Sequence, residues 1–356
     1  MSAPGPAGAR VPLDAAPAGA AAASGFDLLW LQAAGCGGCS MSLLNADTPD
    51  FDARLAAAGI RLLWHPTLSL DTGADVIALV DEILAGRRRL DALVVEGALL
   101  RGPQGSGRFQ LWAGTGRPLA EWVQGLAGVA RHVVAVGSCA AFGGMSATGA
   151  NATDACGLQY DDERAGGLLG AGFVAGGGLP VVNVAGCPTH PDWVLDTLAA
   201  LAAGEIARTS LDPLARPRHY ADHLVHHGCK RNEYYEYKAS AEKPGDLGCL
   251  MEHMGCKGTQ AHADCNTRLW NGEGSCTRGG YACISCTEPG FQNPGHPFHR
   301  TPKIAGIPIG LPTDMPKAWF VALASLSKSA TPRRVKHNAT ADHLVEPPVV
   351  RRTRLK

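Results

Sequence analysis

Residues 27–39 read DLLWLQAAGCGGC, a short apolar run that ends at once in glycines and two cysteines. Asp27 to Gln32 is too short for a typical helix and suits a strand buried on both faces, and the glycines behind it mark a tight turn at its carboxyl end. Runs of the same kind recur at Ile60 to Trp64, Leu90 to Val95, His132 to Val136 and Pro180 to Val184. Helical patterns accompany them at Ala74 to Gly86, Pro118 to Ala130 and Asp192 to Ala203. Strands alternating with helices require crossover connections, and these place a parallel sheet between two helical layers.

The expected fold class is therefore α/β: a flavodoxin-like doubly wound parallel sheet over residues 25–205, followed by a loop-rich domain. Cys36 and Cys39 follow the first strand, Cys139 follows the fourth and Cys187 the fifth. Sites in open α/β sheets form outside the carboxyl ends of the strands, so three strand ends bring four thiols to one rim. Scattered cysteines acting as small apolar residues would not each fall directly after a strand. Neighbouring glycines such as Gly35, Gly37, Gly137 and Gly186 let backbone approach a bound group closely and offer it N–H donors.

Two further sets lie beyond residue 206, where Gly, Cys, His and Asn become frequent and long apolar runs stop. One is His226-x-x-Cys229 with Cys249 and Cys256, and the other is Cys265, Cys276, Cys283 and Cys286. Eleven of the twelve cysteines and one histidine thus make three sets of four. Soft thiolate donors select zinc, copper(I) or iron–sulfur clusters. Zinc stays open on spacing, because Cys283-x-x-Cys286 and His226-x-x-Cys229 also suit a zinc ribbon. Disulfides are disfavoured, since no signal peptide is read at the start. A segment with so small a core needs metal to organise it, giving a second domain at 206–300.

The chain has 356 residues, with Lys plus Arg equal to Asp plus Glu at 32 each, which excludes a general nucleic-acid footprint. No run approaches the ~20 apolar residues of a membrane helix. The Ala-, Gly- and Pro-rich residues 1–24 are expected to be disordered. A polar, Pro- and Arg-containing extension is expected at 301–356, and a cytoplasmic location for the whole. Cys156 has no nearby partner in sequence and is expected to be a structural thiol.

Taken in order, the Cys-x-x-Cys start, Val95-Glu96-Gly97, Gly-Ser-Cys-Ala-Ala-Phe-Gly-Gly at 137–144, Gly-Cys-Pro-x-His-Pro-Asp-Trp at 186–193, His-x-x-Cys, Gly-Cys-Lys-Gly at 255–258 and the closing Cys-x-x-Cys-x-Glu resemble the small subunit of a nickel–iron hydrogenase. The resemblance runs from Asp27 to Phe291. It implies a relay of three iron–sulfur clusters that carries electrons from dihydrogen oxidation at a Ni–Fe centre, held by a partner large subunit, to an acceptor the sequence does not identify. It also implies a proximal cluster on Cys36, Cys39, Cys139 and Cys187, a medial one on Cys265, Cys283 and Cys286, and a distal one on His226, Cys229, Cys249 and Cys256. Assembly of such heterodimers into a higher oligomer is allowed for.

Four departures from the family pattern stand out. Cys276 replaces a common proline, so a fourth medial thiolate is present and all three clusters are expected to be [4Fe-4S]; the three-thiolate pattern gives a medial [3Fe-4S]. Gly38 and Gly144 stand where oxygen-tolerant membrane-bound relatives carry extra cysteines. The Cys249 to Cys256 spacing is one residue longer than the family's, and the leader and membrane anchor of many members are not read, which resembles the actinobacterial type. Two carboxylates, Asp75 and Glu96, are candidates to replace a proximal thiolate. The competing expectation makes Asp71 a helix cap and Asp75 a first-turn residue. The competing classes are a zinc-stabilised interaction protein, the iron–sulfur subunit of a quinone reductase and a flavodoxin-type flavin protein; none accounts for all three sets.

Overall fold

The strands form as their apolar runs require: β1 (Phe26–Gln32), β2 (Ile60–Trp64), β3 (Ala92–Glu96), β4 (His132–Val136) and β5 (Val182–Val184) make one sheet in the order β2-β1-β3-β4-β5. Every pairing in it is parallel. This is the flavodoxin-like order. The computed structural model describes residues 25–46, 49–295, 298, 300–308 and 316–348; the expected disordered segment 1–24 lies outside them. β3 starts two residues later than expected, at Ala92; Asp91 just before it still bonds Asp27 O and the His132 amide through its backbone, and its side chain accepts from the Asp27 amide at 2.8 Å. β5 starts at Val182, since the Val181 amide donates instead to the Gln159 side chain at 2.8 Å.

Alternation along each strand builds two cores. Leu28 and Trp30 of β1 and Val134 of β4 pack with Leu43, Phe51 and Trp193 from α1 (Gly38–Leu43), α2 (Phe51–Ala57) and α6 (Pro191–Ala202). Leu29, Leu31 and Val133 face the other way, onto Val80, Trp122 and Phe142 of α3 (Ala74–Leu84), α4 (Leu119–Val129) and α5 (Ser138–Phe142). Leu29 is 0% exposed, and truncating it to alanine would cost about 2–5 kcal/mol. The expected cap at Asp71 is corrected: Gly73 is the N-cap of α3, with no side-chain cap, and the Asp71 carbonyl accepts from Trp64 Nε1 at 2.9 Å. Asp75 does sit in the first turn. His190 caps α6, accepting from the Asp192 amide at 3.2 Å, and Pro191 opens the helix.

Residues beyond 206, which include the short helices α7 (Arg218–Ala221) and α8 (Asn232–Glu236), borrow the first core. Tyr220, Val225, Ala261 and Cys283 belong to the same apolar cluster as Trp30. Tyr220 stacks on Trp193 with ring centroids 4.4 Å apart, and its hydroxyl donates to Asn183 O at 3.0 Å. The Asn183 amide of β5 donates to Ala215 O at 2.9 Å, so this segment runs along the outer edge of the sheet.

The C-terminal extension is more ordered than its polar composition suggests. A hairpin pairs Lys303–Ile304 with Ile307–Pro308, and α9 (Lys317–Ser329) and α10 (Arg333–Ala339) follow. Val335 and Ala339, one helical turn apart, bury against Tyr234 and Ala239. Among the described residues no helix is long and apolar enough to cross a membrane.

Candidate metal and electron-transfer site

At the carboxyl end of the sheet, Cys39 enters α1 just after β1, Cys139 lies in α5 after β4, and Cys187 follows β5. Cys36 is exposed and Cys39 is buried. Glycine is required at two points beside them. A Cβ at Gly137, where φ is +85°, would stand 2.5 Å from Cys39 Sγ. A Cβ at Gly144, where φ is +50°, would stand 2.9 Å from Cys139 Sγ, so a thiol at that position does not fit this backbone.

The four thiols sense one another. Burial, with help from Cys139 and Cys36, pushes the Cys187 thiol up to about 11. Burial and the adjacent Glu96 charge raise Cys39 well above the usual thiol range, with Cys139 and Cys187 adding to the effect. A group that binds thiolates must therefore displace protons from these sulfurs.

Of the two candidate carboxylates, the structure brings Glu96 to the cysteines and leaves Asp75 exposed on α3. Glu96 is 3% exposed and fully engaged. Its Oε1 accepts from the Cys39 amide at 2.9 Å, and its Oε2 accepts from Ser40 Oγ at 2.5 Å. The carboxylate thus anchors the start of α1, where unpaired N–H groups favour negative charge. Ser40 Oγ in turn meets His65 Nε2 at 3.1 Å. Burial lowers the pKa of His65 to about 4, so its ring is neutral. The sequence signalled the carboxylate at the strand end, but neither Ser40 nor His65 carried a motif.

The set from residue 265 onward lines a cavity of about 470 Å³, with Cys265, Cys276, Cys283 and Cys286 on its walls. Its other walls are mainly apolar, including Trp193, Trp270 and Ile284, and Cys187 of the first set also reaches it. Ser285 N donates to Cys283 Sγ at 3.4 Å, the kind of amide contact that supports metal-bound thiolates. Four thiols around a roomy, mostly apolar space suit a multinuclear iron–sulfur group. Arg216, 3% exposed, holds the adjoining turn: it donates to Asp212 at 2.8 Å, Glu288 at 2.9 Å and the Thr287 carbonyl at 3.0 Å.

His226, Cys229, Cys249 and Cys256 line a third, tighter space of about 20 Å³. That is room for little more than one water, so a four-iron group there requires the side chains to swing outward. Burial lowers the pKa of His226, which keeps the imidazole neutral and able to act as a ligand. Tyr235 packs edge-on against it at 4.2 Å. Arg231 donates to the carbonyls of Asp246, Gly248 and Thr277 at 2.6, 2.7 and 3.0 Å, tying the Cys249 loop to the turn after Cys276.

Adjacent sets touch. Cys187 of the first shares the cavity of the second, and the Cys283 amide of the second donates to Cys256 Sγ of the third at 3.4 Å. Among the described residues no three His, Cys, Asp or Glu converge closely enough to hold a single metal ion; the donors surround spaces instead. Cys156 stands apart, 0% exposed in the second core, with its thiol pushed by burial up to about 12.

An α/β protein with thiol sets in contiguous succession from its sheet rim is built for metal-centred electron transfer. Comparison with known proteins narrows the class. Residues 36–201 match the family described as NADH ubiquinone oxidoreductase, 20 Kd subunit, and residues 221–299 match the family of the C-terminal part of the NiFe/NiFeSe hydrogenase small subunit. The F420 non-reducing hydrogenase II small subunit of Methanosarcina mazei is 36% identical, over 79% of this chain and 77% of its own. The periplasmic [NiFeSe] hydrogenase small subunit of Desulfomicrobium baculatum is 34% identical, over 76% and 86%. Among solved structures, the actinobacterial-type NiFe-hydrogenase from Ralstonia eutropha H16 superposes with a TM-score of 0.70 at 30% identity, covering 87% of this chain and 92% of that one. The chain belongs to the NiFe hydrogenase small subunits, the electron-transfer partners in these oxidoreductases.

Proposed function

We propose that this protein holds three iron–sulfur clusters, each [4Fe-4S], and works in a cytoplasmic uptake hydrogenase of the actinobacterial type beside a large subunit that holds the Ni–Fe centre. Cys36, Cys39, Cys139 and Cys187 would hold the proximal cluster, Cys265, Cys276, Cys283 and Cys286 the medial one, and His226, Cys229, Cys249 and Cys256 the distal one. When bound, these groups pass electrons one at a time from dihydrogen oxidation toward an acceptor.

The observation that carries this is the contact between successive sets, through Cys187 in the medial cavity and through Cys283 N–H on Cys256 Sγ. It supports the order proximal, medial, distal. The chain's own task is positional: Glu96 fixes the first loop, Arg216 the Cys286 turn and Arg231 the Cys249 loop. Cys276 lies on the medial wall with the other three thiols, which supports a four-thiolate site. The actinobacterial subtype is supported by the 87% coverage in the Ralstonia superposition, against 78% for the Desulfomicrobium enzyme.

Metal and sulfide analysis of the anaerobically purified complex tests the assignment. About twelve irons for each copy of this chain, beyond the one of the Ni–Fe centre, with matching acid-labile sulfide are expected. Zinc without sulfide in any set overturns it.

A further inference from the structure

Ser138 is the first residue of α5 and is 1% exposed. Its side chain turns away from its own helix and makes two bonds across long stretches of chain. The Gly186 amide donates to Ser138 Oγ at 3.0 Å, and Ser138 Oγ donates to the Cys286 carbonyl. In the backbone, the Ser138 amide donates to Gly186 O at 2.9 Å. Every partner belongs to a cysteine set or adjoins one: Cys139 follows Ser138, Cys187 follows Gly186, and Cys286 lies in the second set. One oxygen atom thus joins two loops of the first set to a turn of the second.

A hydroxyl can accept from an amide and donate to a carbonyl through the same atom, which neither an alanine nor a charged side chain can do. Without it, the buried Gly186 amide and the Cys286 carbonyl lose that partner. The first two sets also meet directly: burial pushes the Cys286 thiol up to about 12, and a bond to the Cys187 backbone pulls it back. Between the second and third sets the junction is made by backbone donors. The Cys283 amide donates to Cys256 Sγ at 3.4 Å and the Lys257 amide to Cys283 O at 2.8 Å. The junction of the first and second sets is therefore the one that a single side chain can open. Ser42 offers a contrast, since its Oγ donates to Thr189 O at 2.6 Å and ties α1 to the Cys187 loop within the first set.

We propose that Ser138 is a positioning residue for the electron step from the proximal to the medial cluster, an inference that rests on the cluster assignment above. In that step one electron leaves the proximal cluster, which is oxidised, and enters the medial cluster, which is reduced; no atom is transferred. Ser138 acts through the loops of Cys139, Cys187 and Cys286, which its hydroxyl holds at one separation.

The anaerobically purified complex tests this with Ser138→Ala, Ser138→Thr and Ser42→Ala. EPR of the reduced complex reads the spin–spin coupling between neighbouring clusters. Ser138→Ala should keep about twelve irons per chain and show a weakened proximal–medial coupling. Its dihydrogen-driven reduction of a dye should fall about tenfold, as the loosened loops spend less of their time in the held geometry. Exchange of dihydrogen with solvent deuterium, which needs no electron to leave the Ni–Fe centre, should stay at the native rate. Ser138→Thr keeps the hydroxyl and should recover both the coupling and dye reduction; Ser42→Ala should keep the native coupling. A Ser138→Ala complex with native coupling and native dye reduction overturns the proposal. So does one that fails to load iron or loses deuterium exchange in equal measure, since either marks a merely structural role. A Ser138→Thr complex that behaves like the alanine variant, or a Ser42→Ala complex that loses the coupling as fully, overturns it too. Native protein without iron–sulfur signals would instead sink the cluster assignment itself.

Discussion

Replacing Arg216 by Met should be among the most damaging single changes outside the cysteine sets. The guanidinium is 3% exposed and bonds Asp212, Glu288 and the Thr287 carbonyl, all within 3.0 Å. Burial alone opposes its charge, but Glu288 and Asp212 more than compensate, and its pKa ends up raised. Methionine fills similar space and takes the guanidinium away from two carboxylates, Asp212 at 7% and Glu288 at 19% side-chain exposure. Breaking a buried ion pair from one side costs about 3–5 kcal/mol. At about 2 °C per kcal/mol for a chain of this size, the midpoint of thermal unfolding should fall by roughly 6–10 °C. Differential scanning calorimetry on the complex reads this directly. The triple variant Asp212→Asn, Arg216→Met, Glu288→Gln, with no buried charge left over, should recover most of the loss. A shift in Arg216→Met below about 2 °C, or a triple variant as unstable as the single one, would refute the reasoning.

Acid should find the same weak point: Glu288 is held below its ordinary 4.5, against the pull of burial, by His262 and Arg216. A depressed carboxylate stabilises the fold fully above its unfolded pKa and loses that contribution as pH falls through the folded one, so unfolding followed by tyrosine and tryptophan fluorescence should steepen below about pH 4.5 in the native chain and less so in Glu288→Gln. Cys276→Pro removes one medial thiol; the oxidised variant should show the EPR signal of a three-iron centre that the native protein lacks, and the same signal in the native protein would rule out a four-thiolate medial site. Glu96→Gln keeps the shape but turns an all-acceptor group into one whose NH2 meets the donors Ser40 Oγ and Gln32 Nε2, and should cost about 1–3 kcal/mol in urea unfolding, an outcome that an unchanged midpoint would contradict.

The sheet was legible because its signals are local. β2 and β4 fall where their apolar runs lie, while β5 starts late because the Val181 amide donates to the Gln159 side chain, a bond that no periodicity announces. Placement of the rim cysteines followed from the same logic, since a residue just after a parallel strand has one place to go. Asp71 shows the limit of local chemistry: a good capping residue stands two positions early, and Gly73 with φ +59° takes the turn instead. The anchors Glu96, Arg216 and Arg231 act across gaps of 15 to 72 residues, so their roles emerge only when the chain has closed on itself. In the C-terminal extension a polar average concealed α10, which docks through Val335 and Ala339, the Arg334 pair with Glu233 and the Gly248 amide on Ala339 O.

The bond from the Asn183 amide to Ala215 O bears on how such a protein can be taken apart by evolution. It covers β5, one of the two outer strands of the sheet, whose free amides would otherwise be a template for any passing extended chain. A descendant that kept the five strands and discarded everything after residue 205 would inherit a sticky margin and the uncovered face of Trp193 along with it. Such a fragment could persist if another polypeptide took over that margin, so the sheet is free to change partners but not to live without one.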